Sequence, residues 1–467
     1  GSGTAGALTQ PNVNEFAFYA QDTWRTNDRL TLYYGVRYDL FSYAQPPVKN
    51  PDAGLAAAGI DTSRINKDTN NWSGRFGFAY KLRADGRVAV RGGYGMYYGR
   101  TPSILTGTSM SQNGIQVQTY TIAPGPGFPT YPTILSAPPT ASRTINLYAF
   151  APDYLQPLTH QWSFNLELEP VRNYAITVGY LGVRGEHLTR TRDINLFPPL
   201  LTQGSFADGT PVSFLRYPNT RPNPNFGRIS LFDSGASSIY HGGFIQLSKR
   251  FSNSFQLQTS YTFSKVIDTV PDFTSVVPGG GDDAKVPQYT TLPGLDRGLG
   301  NSDARHRFVL SSVWEIDYAR SIQNAVLRNI LRGYQLSLIA NLQSGRFYSA
   351  TVGGNADVAN DGNSRNDRSP YVGRNTIEAP GYATFDMRFS RDIHVWKERA
   401  KLKIIFEAFN LANRPNFGNI NPSVTAITTT QYNFNSTTRV FSLNPTFRQP
   451  LDTFDPRILQ LAAKFTF

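Results

Sequence analysis

The feature that most constrains this chain is an alternation of apolar and polar side chains, with a period of two residues, that recurs along most of its length. The final segment shows it most clearly, because Leu459, Leu461, Phe465 and Phe467 alternate with a mostly polar set that includes Gln460. Any half-buried strand alternates in this way. The same layout, however, recurs upstream at least twelve times, and the chain ends on an aromatic residue. These four apolar residues therefore predict a carboxyl-terminal barrel strand that faces lipid on one side.

The alternating segments predict thirteen strands, most of them paired as hairpins across short polar turns. The predicted strands are 16–25, 30–40, 72–82, 88–98, 161–169, 174–181, 239–251, 255–264, 307–316, 334–343, 384–390, 402–409 and 458–467. Long connections rich in Pro, Gly, Asn and Asp separate the hairpins, at 42–71, 100–159, 184–236, 267–304, 346–381 and 414–455. In outer-membrane barrels short turns and long outer loops alternate in this way. One larger turn has apolar residues at helical spacing between 322 and 331, so a short amphipathic helix is expected there.

The composition of the 467 residues fits one architecture throughout. Aromatic residues make up 13% of the chain, and there is no cysteine, which excludes disulfides, zinc-thiolate sites and thiol catalysis. No apolar run approaches the roughly 20 residues of a membrane-spanning helix, so a membrane-spanning form of this chain has to be a barrel. We therefore predict an all-β fold, an antiparallel transmembrane β-barrel, with residues 1–467 forming a single β-barrel domain.

An odd number of strands indicates that this barrel is partial. Single-chain bacterial barrels close with an even number of strands. An open sheet edge would leave backbone N–H and C=O groups unpaired in hydrocarbon, which is not tolerated. The first strand, near Phe16, therefore needs a partner from outside these residues. We expect the chain to be the carboxyl-terminal portion of a larger barrel.

A series of motifs spans the chain from residue 14 onward. They are Phe18-Tyr19-Ala20-Gln21-Asp22-Thr23-Trp24-Arg25 with Leu30-Thr31-Leu32 and Gly35-Val36-Arg37-Tyr38, Arg91-Gly92-Gly93-Tyr94-Gly95, Gly179-Tyr180-Leu181-Gly182-Val183-Arg184-Gly185, Asp303-Ala304-Arg305-His306-Arg307-Phe308, Phe406-Glu407-Ala408-Phe409-Asn410-Leu411 and the final Phe467. In kind and order they resemble the motifs of Oar-like TonB-dependent transporters, large bacterial outer-membrane proteins. The resemblance implies a 22-stranded barrel in the bacterial outer membrane, of which this chain would supply the last thirteen strands.

The resemblance also implies parts and partners of the whole protein. The expected further parts are a signal peptide, an amino-terminal carboxypeptidase-regulatory-like domain, a plug, a TonB box and about nine strands. The expected partners are outer-membrane lipid and lipopolysaccharide, the remaining amino-terminal barrel strands and plug, the TonB complex through the segment that is not in these residues, the barrel assembly machinery and a surface lipoprotein.

The titratable residues suggest little chemistry. The five histidines (His160, His187, His241, His306 and His394) show no pair at metal-ligand spacing, so each is expected to be a hydrogen-bonding wall or rim residue. No clustered acid, base and nucleophile is evident, so an enzyme is not expected and no catalytic or cofactor-binding residue is assigned. The net charge of +12 is dispersed through strands and loops, which disfavours nucleic acid as a partner.

One outer loop has a candidate metal site. The candidate ligands are Asp357, Asp361, Asn363 and Asp367. Carboxylates at the first and fifth positions, with glycine at the sixth, are typical of a calcium loop. The match is incomplete, because Ala359 replaces the third-position ligand and Arg368 stands where a bidentate Glu is expected. The alternative is a cluster of Asx turns in a solvated loop.

The polar sides of the predicted strands carry both signs of charge. Assigned to the inner face are Arg37, Asp39, Arg75, Arg91, Glu167, Arg307, Asp386, Arg388, Lys403 and Glu407. Such a lining could hold a plug by ion pairs and hydrogen bonds, or line a path for a solute.

Three functions remain open from the sequence. The first is a TonB-dependent outer-membrane transporter for energised uptake of a siderophore, glycan or peptide. The second is a passive, plugless porin. The third is a surface scaffold or adhesion protein that uses the barrel as an anchor for its loops.

Overall fold

A computed structural model describes residues 8–118, 145–270, 277, 283, 285–317, 319, 322–353, 357–396, 400–418 and 426–467 of the protein. The strands are, in chain order, β1 (Val13–Arg25), β2 (Leu30–Tyr43), β3 (Trp72–Lys81), β4 (Val88–Tyr98), β5 (Ile145–Phe150), β6 (Leu158–Leu168), β7 (Tyr174–Asp193), β8 (Leu200–Phe206), β9 (Pro211–Arg216), β10 (Phe226–Ser252), β11 (Phe255–Asp268), β12 (Gly298–Leu299), β13 (His306–Ile316), β14 (Tyr334–Gln343), β15 (Phe347–Tyr348), β16 (Thr351–Gly353), β17 (Ile377–Glu378), β18 (Tyr382–Trp396), β19 (Ala400–Phe409), β20 (Thr430–Asn435), β21 (Val440–Leu443) and β22 (Ile458–Thr466). The helices are α1 (Ala53–Ala57), α2 (Ser103–Ser111), α3 (Ala325–Leu331) and a 3-10 turn at Pro293–Asp296.

Thirteen of these strands form one continuous antiparallel path, which we call the wall. Its order is β1-β2-β3-β4-β6-β7-β10-β11-β13-β14-β18-β19-β22. The prediction of thirteen antiparallel strands is therefore confirmed. Strands β1 and β22 form the two edges of the path, and among the described residues no backbone pairing joins them.

The short turns of the wall follow from residues that bend the backbone locally. Between β1 and β2, the Asn27 side-chain oxygen accepts hydrogen bonds from the backbone N–H groups of Arg29 and Leu30, at 2.8 and 2.9 Å. Between β10 and β11, Asn253 and Ser254 both have positive φ, at 50° and 61°. Two such residues match the right-handed twist of a tight hairpin. Neighbouring strands thus pair across these turns in sequence order.

The wall strands extend further than predicted at their upper ends, where the long connections begin. Strand β7 continues to Asp193 instead of ending at 181, and β10 begins at Phe226 instead of at 239. The register of β10 against β7 shifts between Asp233 and Ser238, which interrupts the two-residue period. Residues 226–233 of β10 are also mostly buried, so no polar side marks the strand. The two-residue period therefore does not mark these extensions in the sequence.

Three of the long connections combine into a second sheet above the wall, which the sequence did not predict. Residues from the β7–β10, β14–β18 and β19–β22 connections form a second sheet in the order β16-β20-β21-β8-β9. Its apolar core comprises Val212, Phe214, Val352, Val358, Phe434 and Phe441. We call this sheet, together with segments 285–299 and 357–376 beside it, the cap. Its parallel pairs, β16 with β20 and β21 with β8, join segments far apart in the chain.

The larger short turn contains the predicted helix. The α3 helix begins after Asn324, whose side chain accepts hydrogen bonds from the N–H groups of Val326 and Leu327 and so caps the helix. Its apolar side chains are exposed at the lower rim of the wall, among them Ile330 and Leu331. In the described part of the chain, no helix has the length and apolar character needed to cross a membrane.

Candidate functional site

The strand registers assign every wall residue to one of two faces, because cross-strand partners in an antiparallel sheet point to the same side. The ten residues assigned from the sequence to an inner face all share one side, which we call the polar face. They are Arg37 and Asp39 on β2, Arg75 on β3, Arg91 on β4, Glu167 on β6, Arg307 on β13, Asp386 and Arg388 on β18, and Lys403 and Glu407 on β19. That this face lines the interior of a barrel remains a prediction.

Several of these charges pair with each other on the polar face. Arg37 Nη2 lies 2.8 Å from Asp39 Oδ1, and Arg91 Nε lies 3.0 Å from Glu167 Oε1. On the same face, near the β22 edge of the wall, Arg388 and Glu407 oppose each other directly, with Nε and Oε1 3.4 Å apart. Asp39 is buried, but the pair of Arg91 with Glu167 is exposed, and exposed pairs each contribute only about 0–1 kcal/mol to folding. The polar face is thus a hydrated surface of mixed sign rather than a tightly bonded core.

A cleft of about 960 Å³ lies along the polar face of β1–β4, β6 and β7. Its floor includes Gly35, Gly77, Gly93 and Gly95 on three adjacent strands. The ring of Tyr97 lies over Gly95, where an added Cβ would be only 2.7 Å from the tyrosine hydroxyl.

Beside this floor, the Arg75 guanidinium stacks on the Tyr97 ring, 4.5 Å from its centroid. Further side chains of the cleft are Tyr19, Gln21, Tyr33, Gln161 and Ser163. Aromatic faces beside glycines and polar groups form a concave surface that can bind a polypeptide segment or a small polar solute.

The opposite face of the wall, which we call the apolar face, exposes large hydrophobic side chains. Phe164 on β6 is 52% exposed, and Leu461 and Phe465 on β22 are 79% and 55% exposed. Leu459 lies on the same face, and Phe467 follows the last strand and is also exposed. Such an extended apolar surface requires a nonaqueous surrounding, such as lipid.

Ion pairs with little solvent exposure join segments of the cap, the upper ends of wall strands and the connections beside them. The pairs are Arg221–Asp193, Arg228–Asp283, Arg368–Asp296 and Arg374–Asp268. Three of them link segments that the sequence predicted as different connections. Asp283, Asp296 and Asp268 lie within 267–304, whereas Arg228 lies within 184–236, and Arg368 and Arg374 lie within 346–381. Buried charges need such partners to offset their loss of hydration.

Arg374 has the most extensive set of these contacts. Its guanidinium donates hydrogen bonds to the carboxylate of Asp268 and to the backbone oxygens of Asp268, Val270, Asp296 and Gly298, the one to Asp296 being 2.7 Å long. Burial lowers the pKa of Arg374 to about 10, so the side chain is still protonated at neutral pH. Arg374 therefore holds the β14–β18 connection against the β11–β13 connection.

The candidate calcium loop forms the edge of the cap and is stabilised by its own backbone. Asp357 accepts hydrogen bonds from the N–H groups of Asn360, Asp361 and Gly362, and the Asp361 carboxylate accepts one from the N–H of Asn363. These are the contacts of Asx turns.

The other two candidate ligands are occupied in the same way. Asp367 accepts hydrogen bonds from the N–H groups of Val358 and Ala359, at 2.7 and 3.2 Å, and Asn363 accepts one from the N–H of Arg365. Within the described residues no three His, Asp or Glu side chains are grouped so as to hold a metal ion. The arrangement favours the turn cluster, and calcium binding remains an untested prediction.

Burial changes the protonation of two of these carboxyl groups. Burial, together with the negative charge of the nearby Asp357, raises the pKa of Asp367 to about 7. Burial, followed by the charges of Asp357 and Asp367, also raises the pKa of Asp361 well above its usual value. Because its pKa is about 7, Asp367 is partly protonated at neutral pH.

The alternation of the sequence did not indicate the four arginines of these ion pairs. All four lie in segments that were predicted as long connections and show no two-residue period, namely Arg221, Arg228, Arg368 and Arg374. Three of their four partners lie in a different predicted connection, and only Asp193 shares one with its arginine. The available signal was composition, since these segments contain both Arg and Asp. Such a signal indicates buried pairing only when the loops are known to meet.

The fold and the two faces define an outer-membrane β-barrel, and comparison with protein families agrees. The family model described as "Outer membrane beta barrel domain" matches residues 2–373 and 370–460, so the chain belongs to this family and is a protein of the bacterial outer membrane. None of the curated proteins compared with the chain matches it.

Solved structures of similar fold include two outer-membrane transporters. The outer membrane transporter YddB from Escherichia coli superimposes with a TM-score of 0.50 at 12% identity, covering 97% of this chain and 45% of that one. The FrpB iron transporter from Neisseria meningitidis gives a TM-score of 0.50 at 10% identity, covering 98% of this chain and 46% of that one. The chain thus spans less than half the length of these structures, and the likeness shows the fold.

Proposed function

We propose that the chain is the carboxyl-terminal barrel portion of an Oar-like TonB-dependent transporter, which takes up a solute through the outer membrane in an energised step. The observation that carries this proposal is a charged polar face with a deep cleft on the same sheet whose other face is apolar. A sheet of this kind can enclose an interior wide enough for a plug and a solute.

The two open edges support a larger barrel. Strands β1 and β22 each have one neighbour in the described structure. Unpaired edges are not stable in hydrocarbon, so further strands have to complete the circle. We propose that residues 1–467 form one domain with those strands, and that a plug occupies the interior against the polar face. The TonB complex, the barrel assembly machinery and a surface lipoprotein are the proposed partners of the whole protein.

The cap suits the capture of a solute at the outer surface. It is a folded unit built from several connections, and its buried pairs fix their relative positions. A siderophore, a glycan or a peptide could each bind at such a surface, and the described residues favour none of them. No cofactor is proposed.

The first test separates active from passive transport. The full-length protein in planar lipid bilayers is expected to show no steady ion current, and deletion of its plug is expected to open a large conductance. Cells that lack the protein are expected to grow poorly on one limiting iron, glycan or peptide source, and loss of TonB should produce the same defect. A steady current through the full-length protein would instead support a passive porin.

A surface scaffold is the second candidate, and one feature of the cap favours it. Leu200, Leu201 and Leu443 on the cap are 62%, 67% and 63% exposed. Exposed leucines at an outer surface can bind another protein. If the full-length protein carried no current, and its deletion changed cell attachment but not growth on any limiting source, the scaffold would be favoured.

A further inference from the structure

Three tyrosine–histidine pairs recur on the apolar face with nearly the same geometry. Each tyrosine hydroxyl lies within hydrogen-bond distance of a histidine Nδ1. The pairs are Tyr94–His160 at 2.6 Å, Tyr180–His241 at 2.6 Å and Tyr261–His306 at 2.8 Å. Their ring centroids are 6.0, 6.2 and 6.2 Å apart. The sequence predicted hydrogen-bonding wall or rim histidines but gave no sign that three of them repeat.

The three pairs also occupy the same place in the topology. Each joins a strand that runs upward to the next strand that runs downward, across a long connection: β4 with β6, β7 with β10, and β11 with β13. Each tyrosine lies six residues after the first residue of its strand, which is Val88, Tyr174 or Phe255. The pairs therefore form one row at constant height along the wall, which we call the histidine row.

The height of this row matches the upper edge of the apolar band. The histidines are level with Met96, Gly182 and Phe263, eight residues after the strand starts. At about 3.3 Å per residue and a strand tilt near 40°, this level is roughly 20 Å above the short turns. The apolar band of an outer-membrane barrel is about 25 Å tall.

Charged residues begin at the same level. Arg184 directly opposes His160, and Lys265 directly opposes His241, both on the apolar face. Glu186 lies beside the first pair, with its carboxylate 2.7 Å from Arg184 Nη2 and 3.5 Å from His160 Nε2. Four residues lower on the strands of the histidines, the same face carries Phe164, Ile245 and Leu310. The histidine row thus separates hydrocarbon-like surface from charged surface.

The pairing itself prepares the imidazoles to bind an anion. When the phenol donates to Nδ1, the proton of the neutral imidazole is on Nε2, which is then a donor. A neutral donor can stand at the edge of hydrocarbon at a lower cost than a charged one. Long cationic side chains such as Arg184 and Lys265 can extend from this edge to the phosphate level.

From this arrangement we propose that the histidine row, with Arg184 and Lys265, binds the phosphate groups of the glycolipid in the outer leaflet. The occupant is lipid A bearing its phosphates, because the row has donors and cations at headgroup depth and lies on the membrane-facing side. This inference rests on the apolar face meeting lipid, but not on the transport activity.

The test measures lipid retained by the full-length protein. The protein is reconstituted in nanodiscs that contain phosphatidylcholine and bis-phosphorylated lipid A. It is then released from the nanodiscs in the mass spectrometer, and the lipid molecules that stay bound are counted by native mass spectrometry. The same measurement with dephosphorylated lipid A isolates the phosphate contribution. We expect at least fivefold more retention of the phosphorylated form.

Substitution should remove this preference. The triple variant His160→Leu, His241→Leu and His306→Leu is expected to retain the two lipids equally. A matched control changes the residues four positions lower on the same strands, Phe164→Leu, Ile245→Leu and Leu310→Ile, and should keep the preference. Equal retention of both lipids by the unchanged protein, or an unchanged preference in the triple histidine variant, would overturn the proposal.

A second variant covers the case in which the triple histidine variant does not fold. Arg184→Gln with Lys265→Gln leaves all three tyrosine–histidine pairs in place. We expect it to lower the preference for phosphorylated lipid A at least twofold, and no change would contradict the assignment of these cations. Solute uptake is measured separately in the same variants, so a failed transport proposal would leave the lipid result interpretable.

Discussion

The wall and the cap are both built from β-strands, but different interactions stabilise them. In the wall, strands that are near in sequence pair across short turns, and the ion pairs on the polar face are exposed. In the cap, strands from three connections meet, and arginine–aspartate pairs are buried between them. The wall therefore depends on local pairing and on its surroundings, whereas the cap depends on contacts between distant segments.

This difference predicts where a single substitution acts. Removing a charge from the wall should cost little, because water or a neighbouring charge replaces the lost partner. Removing one from the cap should leave its partner buried and uncompensated. The cap is thus expected to lose its structure locally while the wall stays folded, since the two have separate hydrogen-bonded sheets.

The largest effect is expected for Arg374→Ala. The change leaves the carboxylate of Asp268 buried without its cation and frees several backbone oxygens, which should destabilise the cap by about 3–5 kcal/mol. Protease added to cells should then cleave the cap much faster. The wall should stay folded, so the unheated sample should still migrate as a folded barrel in SDS gels. The control is Arg83→Ala, whose exposed pair with Asp85 lies in a short turn. Equal protease sensitivity in the two variants would contradict the proposal that the cap, unlike the wall, depends on its ion pairs.

A somewhat smaller effect is expected from Asp367→Asn, and it should depend on pH. The pKa of Asp367 is raised to about 7 in the folded cap, so the folded state holds a proton that the unfolded state has lost. Stability from this group is present at low pH and is lost as the pH rises towards about 7, by about 2–4 kcal/mol in total. The protection factors of cap amides in hydrogen exchange, which are corrected for the intrinsic pH dependence of exchange, should therefore fall between pH 5 and pH 8 in the unchanged protein, with most of the change below pH 7.

Asn at position 367 keeps a carbonyl acceptor but cannot ionise, so this part of the pH dependence should disappear. The matched control is Asp208→Asn, an exposed turn residue in the same cap whose pKa is lowered by hydrogen bonds from Thr210. It should leave the slope between pH 5 and pH 8 unchanged. A pH slope that persists in Asp367→Asn would show that another group is responsible.

Within the wall, Gly182→Ala tests how much added side-chain volume the packing on the apolar face accommodates. An added Cβ would lie 2.1 Å from the indole ring of Trp162, which crosses the apolar face at this glycine. The indole has to move, at a cost of about 1–3 kcal/mol. Gly74→Ala is the control, because Gly74 lies on the same face with nothing within 4 Å of the added carbon. Urea unfolding in detergent should separate the two variants, and equal midpoints would contradict the packing argument.

The smallest effect is expected on the polar face. Exchanging the charges, Arg388→Glu with Glu407→Arg, keeps an attractive pair and should change stability by less than about 1 kcal/mol. The single variant Arg388→Glu places two carboxylates opposite each other and should cost only slightly more, since both are hydrated. A loss of several kcal/mol would mean that this face is buried in the whole protein, for example by a plug.

The same contrast between wall and cap explains which parts of the fold could be predicted from the sequence. The order of the wall, its two faces and the polar residues on one of them followed from a two-residue period, because local pairing converts that period directly into geometry. The cap could not be derived in this way. The pairing of Val440 with Ser205, or of Arg374 with Asp268, depends on how separate connections are brought together by the wall, and no single segment records it.

Strand β10 runs without interruption from Phe226 to Ser252, 27 residues, which is far more than a tilted membrane strand requires. Its upper third pairs with the upper part of β7, and these extensions support the cap at a fixed distance from the membrane-spanning part of the wall. Shortening both strands by two residues would bring the cap closer to the membrane without changing its exposed residues. Binding of antibodies raised against the cap to whole cells would then measure the change in its accessibility.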